Sequence, residues 1–276
     1  MKNFPPALAS VVEEARKAAP STEAALTTLH SLDLTSLNAT DTPAVIDTVL
    51  DKADQGKFGH VAAICVYPQF LTQSFNKVSS KGINLATVIN FPNGKGEPAQ
   101  TAADVTAAIK AGANEVDIVL DHESFLKGDL DTVFETIASA RDASIEGGAK
   151  LKVILESSVF TNYDDLYSAS IRAIQAGADF LTTSTGKHAS GGASLEAVAT
   201  MLQAIKDMES PAGVKVSGGV KTVGDGAQYI ALVEGIMGKG WITPDTYRVG
   251  ASGVLADITK TLGAAPAAPA ANPSGY

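Results

Sequence analysis

Apolar and β-branched residues gather in eight short runs, and a stretch with apolar positions three and four residues apart separates each run from the next. The runs are SLDLTSL (31–37), HVAAICVYP (60–68), NLATVINFP (84–92), EVDIVL (115–120), KLKVILES (150–157), FLTTST (180–185), AGVKVSGG (212–219) and YRVGAS (247–252). Intervening segments such as PAQTAADVTAAIKAGA and SLEAVATMLQAIKDM have the 3.6-residue period of amphipathic helices. Strand and helix alternating eight times predict a parallel sheet. Eight such units in roughly 230 residues predict an α/β fold of the closed (β/α)8 TIM-barrel type.

An internal echo supports the repeat. AIKAGANEVDIVL (108–120) and AIQAGADFLTTST (173–185) both place a glycine, Gly112 or Gly177, between a helix and the next strand. A helix C-terminus favours a left-handed residue there. The first 30 residues read as a helical extension of one or two helices, with Pro20-Ser21-Thr22-Glu23 starting the second. Residues 1–262 are expected to form one barrel domain. Residues 263–276, GAAPAAPAANPSGY, read as a flexible Ala/Pro-rich tail ending in Tyr276.

Composition narrows the partners. The chain has 276 residues, 45% of them apolar, so it can bury a sizeable core. Twenty-one basic against 30 acidic residues give a net charge of −9, which argues against nucleic acid or an anionic membrane as partner. The N-terminal stretch lacks the apolar centre of a signal peptide, and no apolar run approaches the ~18 residues of a membrane span. With Cys65 as its one cysteine the chain can form no internal disulfide, and a cytoplasmic location is expected.

Four runs break their own pattern. Strands of a parallel barrel are buried on both faces and read as continuous apolar segments. Here Asp33, Asp117, Lys152 and Lys215 stand in the middle of four different runs. A lone buried charge is costly, so these four are expected to compensate one another near the barrel axis. In doing so they perturb one another's proton affinities, as in a catalytic centre; a structural ion network is the alternative.

The late loops point to phosphate. STGK (184–187), SGGVK (217–221) and GASG (250–253) follow the sixth, seventh and eighth runs, where barrels commonly hold a phosphate on backbone N–H groups. The four histidines, 30, 60, 122 and 188, have no ligand spacing, so no metal is expected. Cys65, inside an apolar run, reads as a buried thiol.

In order and spacing, LDLTSLN, AAICVYP, ATVINFP, GANEVDIV, LKVILES, TSTGK, GVKVSGGV and YRVGAS resemble deoxyribose-phosphate aldolase over nearly the whole chain. That family implies a class I Schiff-base lyase, without metal or cofactor, cleaving 2-deoxyribose 5-phosphate reversibly to acetaldehyde and glyceraldehyde 3-phosphate. The resemblance implies proton transfer by Asp117 with a bound water, a second lysine in Lys215, and Lys152 and Asp33 in the surrounding polar network. Thr35, Asn38 and Cys65 would line the substrate pocket. Gly186, Lys187, Gly218, Gly219, Gly250, Ala251 and Ser252 would hold the phosphate, and Tyr276 would assist proton transfer at the methyl carbon. The partners implied are a small phosphorylated sugar and short aldehydes, with a homodimer as candidate assembly.

One position departs. Where the family has Lys-Thr-Ser-Thr-Gly-Lys, this chain has Thr182-Thr183-Ser184-Thr185-Gly186-Lys187. The Schiff-base position is Thr182, and a hydroxyl cannot form an iminium ion. Lys215, without a cationic neighbour at 182 and with Asp117 favouring its charge, is expected to be a weak nucleophile. An aldolase impaired at its covalent step is therefore the expectation. The alternatives are a non-catalytic sugar-phosphate-binding barrel and a barrel lyase or isomerase that uses no Schiff base.

Overall fold

The computed structural model describes residues 1–264. Eight strands, β1 Leu32–Ser36, β2 Ala63–Val66, β3 Asn84–Ile89, β4 Glu115–Val119, β5 Lys150–Ile154, β6 Phe180–Thr182, β7 Gly213–Ser217 and β8 Tyr247–Ala251, form a closed barrel in chain order. Neighbouring strands run parallel, and β8 returns to β1 with Gly250 opposite Asp33. The (β/α)8 barrel expected from the eight runs is the fold found.

The helices are α1 Pro6–Ala15, α2 Thr22–His30, α3 Pro43–Asp51, α4 Leu71–Val78, α5 Pro98–Lys110, α6 His122–Lys127, α7 Asp131–Gly147, α8 Tyr163–Gln175, α9 Leu195–Asp207, α10 Val223–Met237 and α11 Val254–Ala264. Side-chain caps fix many of the starts. Ser21, Thr42, Asp121, Asn162, Ser194 and Thr222 each accept a first-turn N–H, worth about 1 kcal/mol per cap. The extension comprises two helices: α1 packs on α9 and α10, and α2 on α10 and α11.

Period-two alternation explains how the mid-strand charges are accommodated. Leu32, Leu34, Val116, Ile118, Leu151, Val153, Val214, Val216, Tyr247 and Val249 join the core shared with the helices. The intervening positions face the barrel axis. On β2 and β3 these are small apolar residues, Ala63, Cys65, Ala86 and Val88, packed with Leu37. On β1, β4, β5, β7 and β8 they carry the charges.

Two boundaries differ from expectation. The sixth run was expected to be extended through 185, yet β6 ends at Thr182. The Thr183 side chain takes over the next ladder positions, its Oγ1 accepting from Ser217 N at 2.8 Å and donating to Ser217 O at 2.9 Å. A hydroxyl so placed competes with regular backbone pairing and ends the strand. The domain was expected to close at 262, but α11 continues through Ala264, carried by the stripe Val254, Leu255, Ile258 and Leu262. The remainder of the expected tail, including Tyr276, lies outside the described residues.

Candidate active site

Six charged side chains meet at the barrel axis: Asp33, Glu115, Asp117, Lys152, Lys215 and Arg248, all buried. Lys152 Nζ lies 2.7 Å from Asp117 Oδ1 and 2.8 Å from Glu115 Oε2. Lys215 Nζ lies 2.7 Å from Asp33 Oδ2 and 2.8 Å from Asp117 Oδ2. The Arg248 guanidinium spans Asp33 Oδ1 at 2.6 Å and both Glu115 oxygens, at 2.6 and 3.0 Å. It stacks 5.6 Å from the centroid of the Phe180 ring, and its Nε donates to Pro244 O. Three acids face three bases, so the cluster is neutral overall, the condition under which buried charges are tolerated.

Of these six, Glu115 and Arg248 were not singled out from the sequence. Glu115 precedes Asp117 by two residues and so shares its face of β4. Arg248 likewise precedes Gly250 on β8. Their parity was the available signal.

Above the cluster, at the carboxyl ends of the strands, opens a cavity of about 970 Å³. Asp117 and Lys215 form part of its floor with Thr182, Cys65, Val88 and Ile154. Thr35, Asn38, Gly186, Lys187, Gly218, Gly219, Gly250, Ala251 and Ser252 also line it. Asp33 and Lys152, placed in the site by sequence reasoning, do not reach it; each is completely buried beneath the floor. From there Asp33 contacts Lys215 and Lys152 contacts Asp117.

Thr182 stands directly beside Lys215 in the β6–β7 register. Its side chain is buried, and its Oγ1 has no hydrogen-bond partner among the described residues. Ser184 Oγ, two residues further along, is likewise buried and unpartnered. Lys215 Nζ donates to Asp117 Oδ2 at 2.8 Å and forms an ion pair with Asp33 Oδ2 at 2.7 Å. Gly250 makes room for this lysine: a Cβ there would lie 3.0 Å from Lys215 Cε and 2.2 Å from Ser217 Oγ.

The floor's electrostatics follow from this geometry. Burial by itself pushes Lys215 down, but Asp117 and Asp33 outweigh it and hold the ammonium well above the ordinary lysine range. Burial likewise opposes the charge on Lys152, and Asp117 and Glu115 again prevail, so its proton affinity is also raised. Asp33 is held far below the usual carboxylate range because Lys215, Arg248 and Lys152 together overcome its burial. Burial pushes the Cys65 thiol up to about 12.

The rim is built from the late loops. Gly218 and Gly219 follow β7 with φ of +82° and +99°, left-handed values suited to glycine. Consecutive N–H groups turned outward this way form an anion-binding concavity. The N–H groups of Gly186, Gly218 and Gly219 have no backbone acceptor among the described residues. Lys187 N instead donates to Thr185 Oγ1 at 3.0 Å, so this residue offers the cavity its ammonium rather than its N–H.

Glu156, another residue not anticipated, holds that turn. It is buried at the end of β5 with φ +54°, a conformation costing about 1–3 kcal/mol for such a residue. Its Oε2 accepts from Thr185 Oγ1 at 2.5 Å and Thr185 N at 3.2 Å. His122 and His188 pack edge to face with centroids 5.5 Å apart. They are separated by 66 positions, and the strand order β4-β5-β6 brings their loops together. No group of three or more His, Cys, Asp or Glu with metal-binding geometry occurs among the described residues. No described helix is long and apolar enough to cross a membrane.

Comparison with known proteins agrees with this architecture. A family model for DeoC/LacD family aldolases matches residues 27–239. The deoxyribose-phosphate aldolase of Agrobacterium fabrum is 44% identical over 257 residues, covering 92% of this chain and 96% of that one. A crystal structure from Toxoplasma gondii ME49 has a TM-score of 0.81 at 20% identity, covering 89% of this chain and 96% of that one. The tetrameric deoxyribose phosphate aldolase of Aeropyrum pernix has a TM-score of 0.72 at 21% identity, covering 92% and 97%. At those identities the two structures speak to the fold alone. The family match and the 44% relative speak to descent, and the chain belongs to the DeoC/LacD family of aldolases.

Proposed function

We propose that the cavity binds 2-deoxyribose 5-phosphate, and that this chain is a 2-deoxyribose-5-phosphate aldolase impaired at its covalent step. The phosphate sits against the loops at 186–187, 218–219 and 250–252, and the aldehyde end reaches Lys215. The observation that carries the reading is the floor itself. The proton-transfer carboxylate Asp117 and the second lysine Lys215 are in contact, and the neighbouring register position presents a hydroxyl.

Class I cleavage to acetaldehyde and glyceraldehyde 3-phosphate begins with a neutral amine attacking the aldehyde. Lys152 and Lys215 are each bound by two carboxylates within 2.8 Å, which keeps them protonated and without a free lone pair. Thr182 cannot substitute, because an oxygen adduct stops at the hemiacetal and provides no electron sink. Asp117 retains its place for proton transfer through a water, and Thr35, Asn38 and Cys65 contact the sugar. Lys152 and Asp33 set the charge of the floor from beneath, and Tyr276 is assigned proton transfer at the methyl carbon. No cofactor is required. The buried, unpaired cysteine suits a reducing cytoplasm, and a homodimer is the assembly proposed.

Borohydride trapping tests the reading. The chain is incubated with acetaldehyde and borohydride, and its peptides are analysed by mass spectrometry. The expected result is no prompt adduct on Lys152 or Lys215, and turnover lower by several orders of magnitude than in the Thr182→Lys variant. A prompt adduct on either lysine would sink the impairment. Phosphate-dependent binding without any turnover in Thr182→Lys would favour a binding protein. Turnover by the unchanged chain without an adduct would favour a lyase or isomerase that never forms a Schiff base.

A further inference from the structure

Four lysines, 52, 187, 215 and 221, and a single carboxylate, Asp117, line the cavity of a chain whose net charge is −9. Among the described residues Lys52, Lys187 and Lys221 form no ion pair. Even with Asp33, beneath the floor, added to the acids, cations remain in excess. The buried cluster is itself neutral, so with a phosphate dianion at the rim one of the three unpaired lysines is left unmatched.

The floor also holds donors without acceptors. Thr182 Oγ1 and Ser184 Oγ are buried and unpartnered, and Lys215 Nζ beside them donates to Asp117 and lies 2.7 Å from Asp33 Oδ2. Thr182 and Lys215 are register neighbours. Ser184 stands further along β6's path, its Cβ 3.7 Å from the position a Gly218 Cβ would take. Unsatisfied donors therefore line one wall from the floor toward the phosphate loops. Leaving such groups unpaired costs about 1–3 kcal/mol each, and an anionic oxygen satisfies them better than a neutral carbonyl.

We infer that the floor of this cavity is a carboxylate subsite, and that the chain's preferred ligand is a phosphorylated sugar acid rather than the corresponding aldehyde. The carboxylate lies against Lys215 and Thr182, and the phosphate against the glycine loops. Asp117 and Asp33 do not forbid this, since Asp117 is already matched by two cations of the buried cluster and Asp33 by three. The inference rests on the phosphate placement proposed above, and binding is non-covalent throughout.

Calorimetric titration of the full chain tests it with five probes: 2-deoxyribonate 5-phosphate, 2-deoxyribose 5-phosphate, glycerol 3-phosphate, and the unphosphorylated acid and sugar. The phosphorylated acid is expected to bind about tenfold more tightly than the phosphorylated aldose, the scale of one charge-assisted hydrogen bond. Thr182→Val removes most of that preference and weakens the phosphorylated acid more than glycerol 3-phosphate, whereas Thr182→Ser retains the preference. Equal or weaker binding of the acid overturns the inference, as does a preference untouched by Thr182→Val. If no phosphorylated probe binds, the phosphate placement fails instead, and the unphosphorylated pair still decides: acid and sugar binding equally would overturn the carboxylate subsite.

Discussion

Replacing Arg248 by Met removes a guanidinium that touches two carboxylates at 2.6 Å and has no solvent to fall back on. What remains is three acids against two lysines. Breaking a buried ion pair from one side costs about 3–5 kcal/mol, because the abandoned charge stays buried. For a chain of 276 residues, an unfolding entropy of about 2.1 cal/mol/K per residue amounts to roughly 0.6 kcal/mol/K. Arg248→Met should therefore lower Tm by about 5–9 °C. Glu115→Gln errs in the opposite sense, leaving three bases against two acids. The double variant restores neutrality with Asp33, Asp117, Lys152 and Lys215. Its loss, measured by denaturant unfolding, should be smaller than the sum of the single losses by at least about 1 kcal/mol. Additive losses, or an Arg248→Met cost below about 1 kcal/mol, would refute the account of the floor as a balanced cluster.

Further outcomes follow from the same geometry. Asp33, depressed in the folded state, contributes stability that is present above its unfolded value near pH 4 and is lost as pH falls below it. Unfolding midpoints should be level between pH 8 and 5 and drop below about pH 4, and Asp33→Asn should blunt that drop. Lys215, raised in the folded state, stabilises fully below its unfolded value near 10.4; its contribution is lost only as pH climbs through the higher folded value, so Lys215→Met should flatten the alkaline limb. Cys65, buried and with its thiol pushed up to about 12, should react with a disulfide reagent at pH 8 at least about 100-fold more slowly than the unfolded chain. Equal rates would contradict its burial. Lys187→Ala should weaken glycerol 3-phosphate binding about three- to tenfold at low salt and less at high salt.

The barrel was legible because its two periods are clean. Outer strand positions are apolar in run after run, and helix stripes alternate with them. The charged interior was legible only in part. Asp33, Asp117, Lys152 and Lys215 interrupt their runs visibly, whereas Glu115 and Arg248 sit near the starts of theirs, where a polar residue reads as a strand end. Depth was not legible at all. Nothing local distinguishes Lys152, sealed beneath the floor, from Lys215, which reaches the cavity, because the stagger between strands decides it. Thr183 and Glu156 escaped notice for a related reason, since their partners lie 34 and 29 positions away.

The central claim is that the floor carries a protonated lysine beside a threonine that cannot form an imine. Acetaldehyde and borohydride, applied in parallel to this chain and to Thr182→Lys, address it most directly. The account predicts a reduced adduct at position 182 in the variant, accompanied by cleavage of 2-deoxyribose 5-phosphate, and no prompt adduct in the unchanged chain. A prompt adduct on Lys215 or Lys152 of the unchanged chain would contradict it.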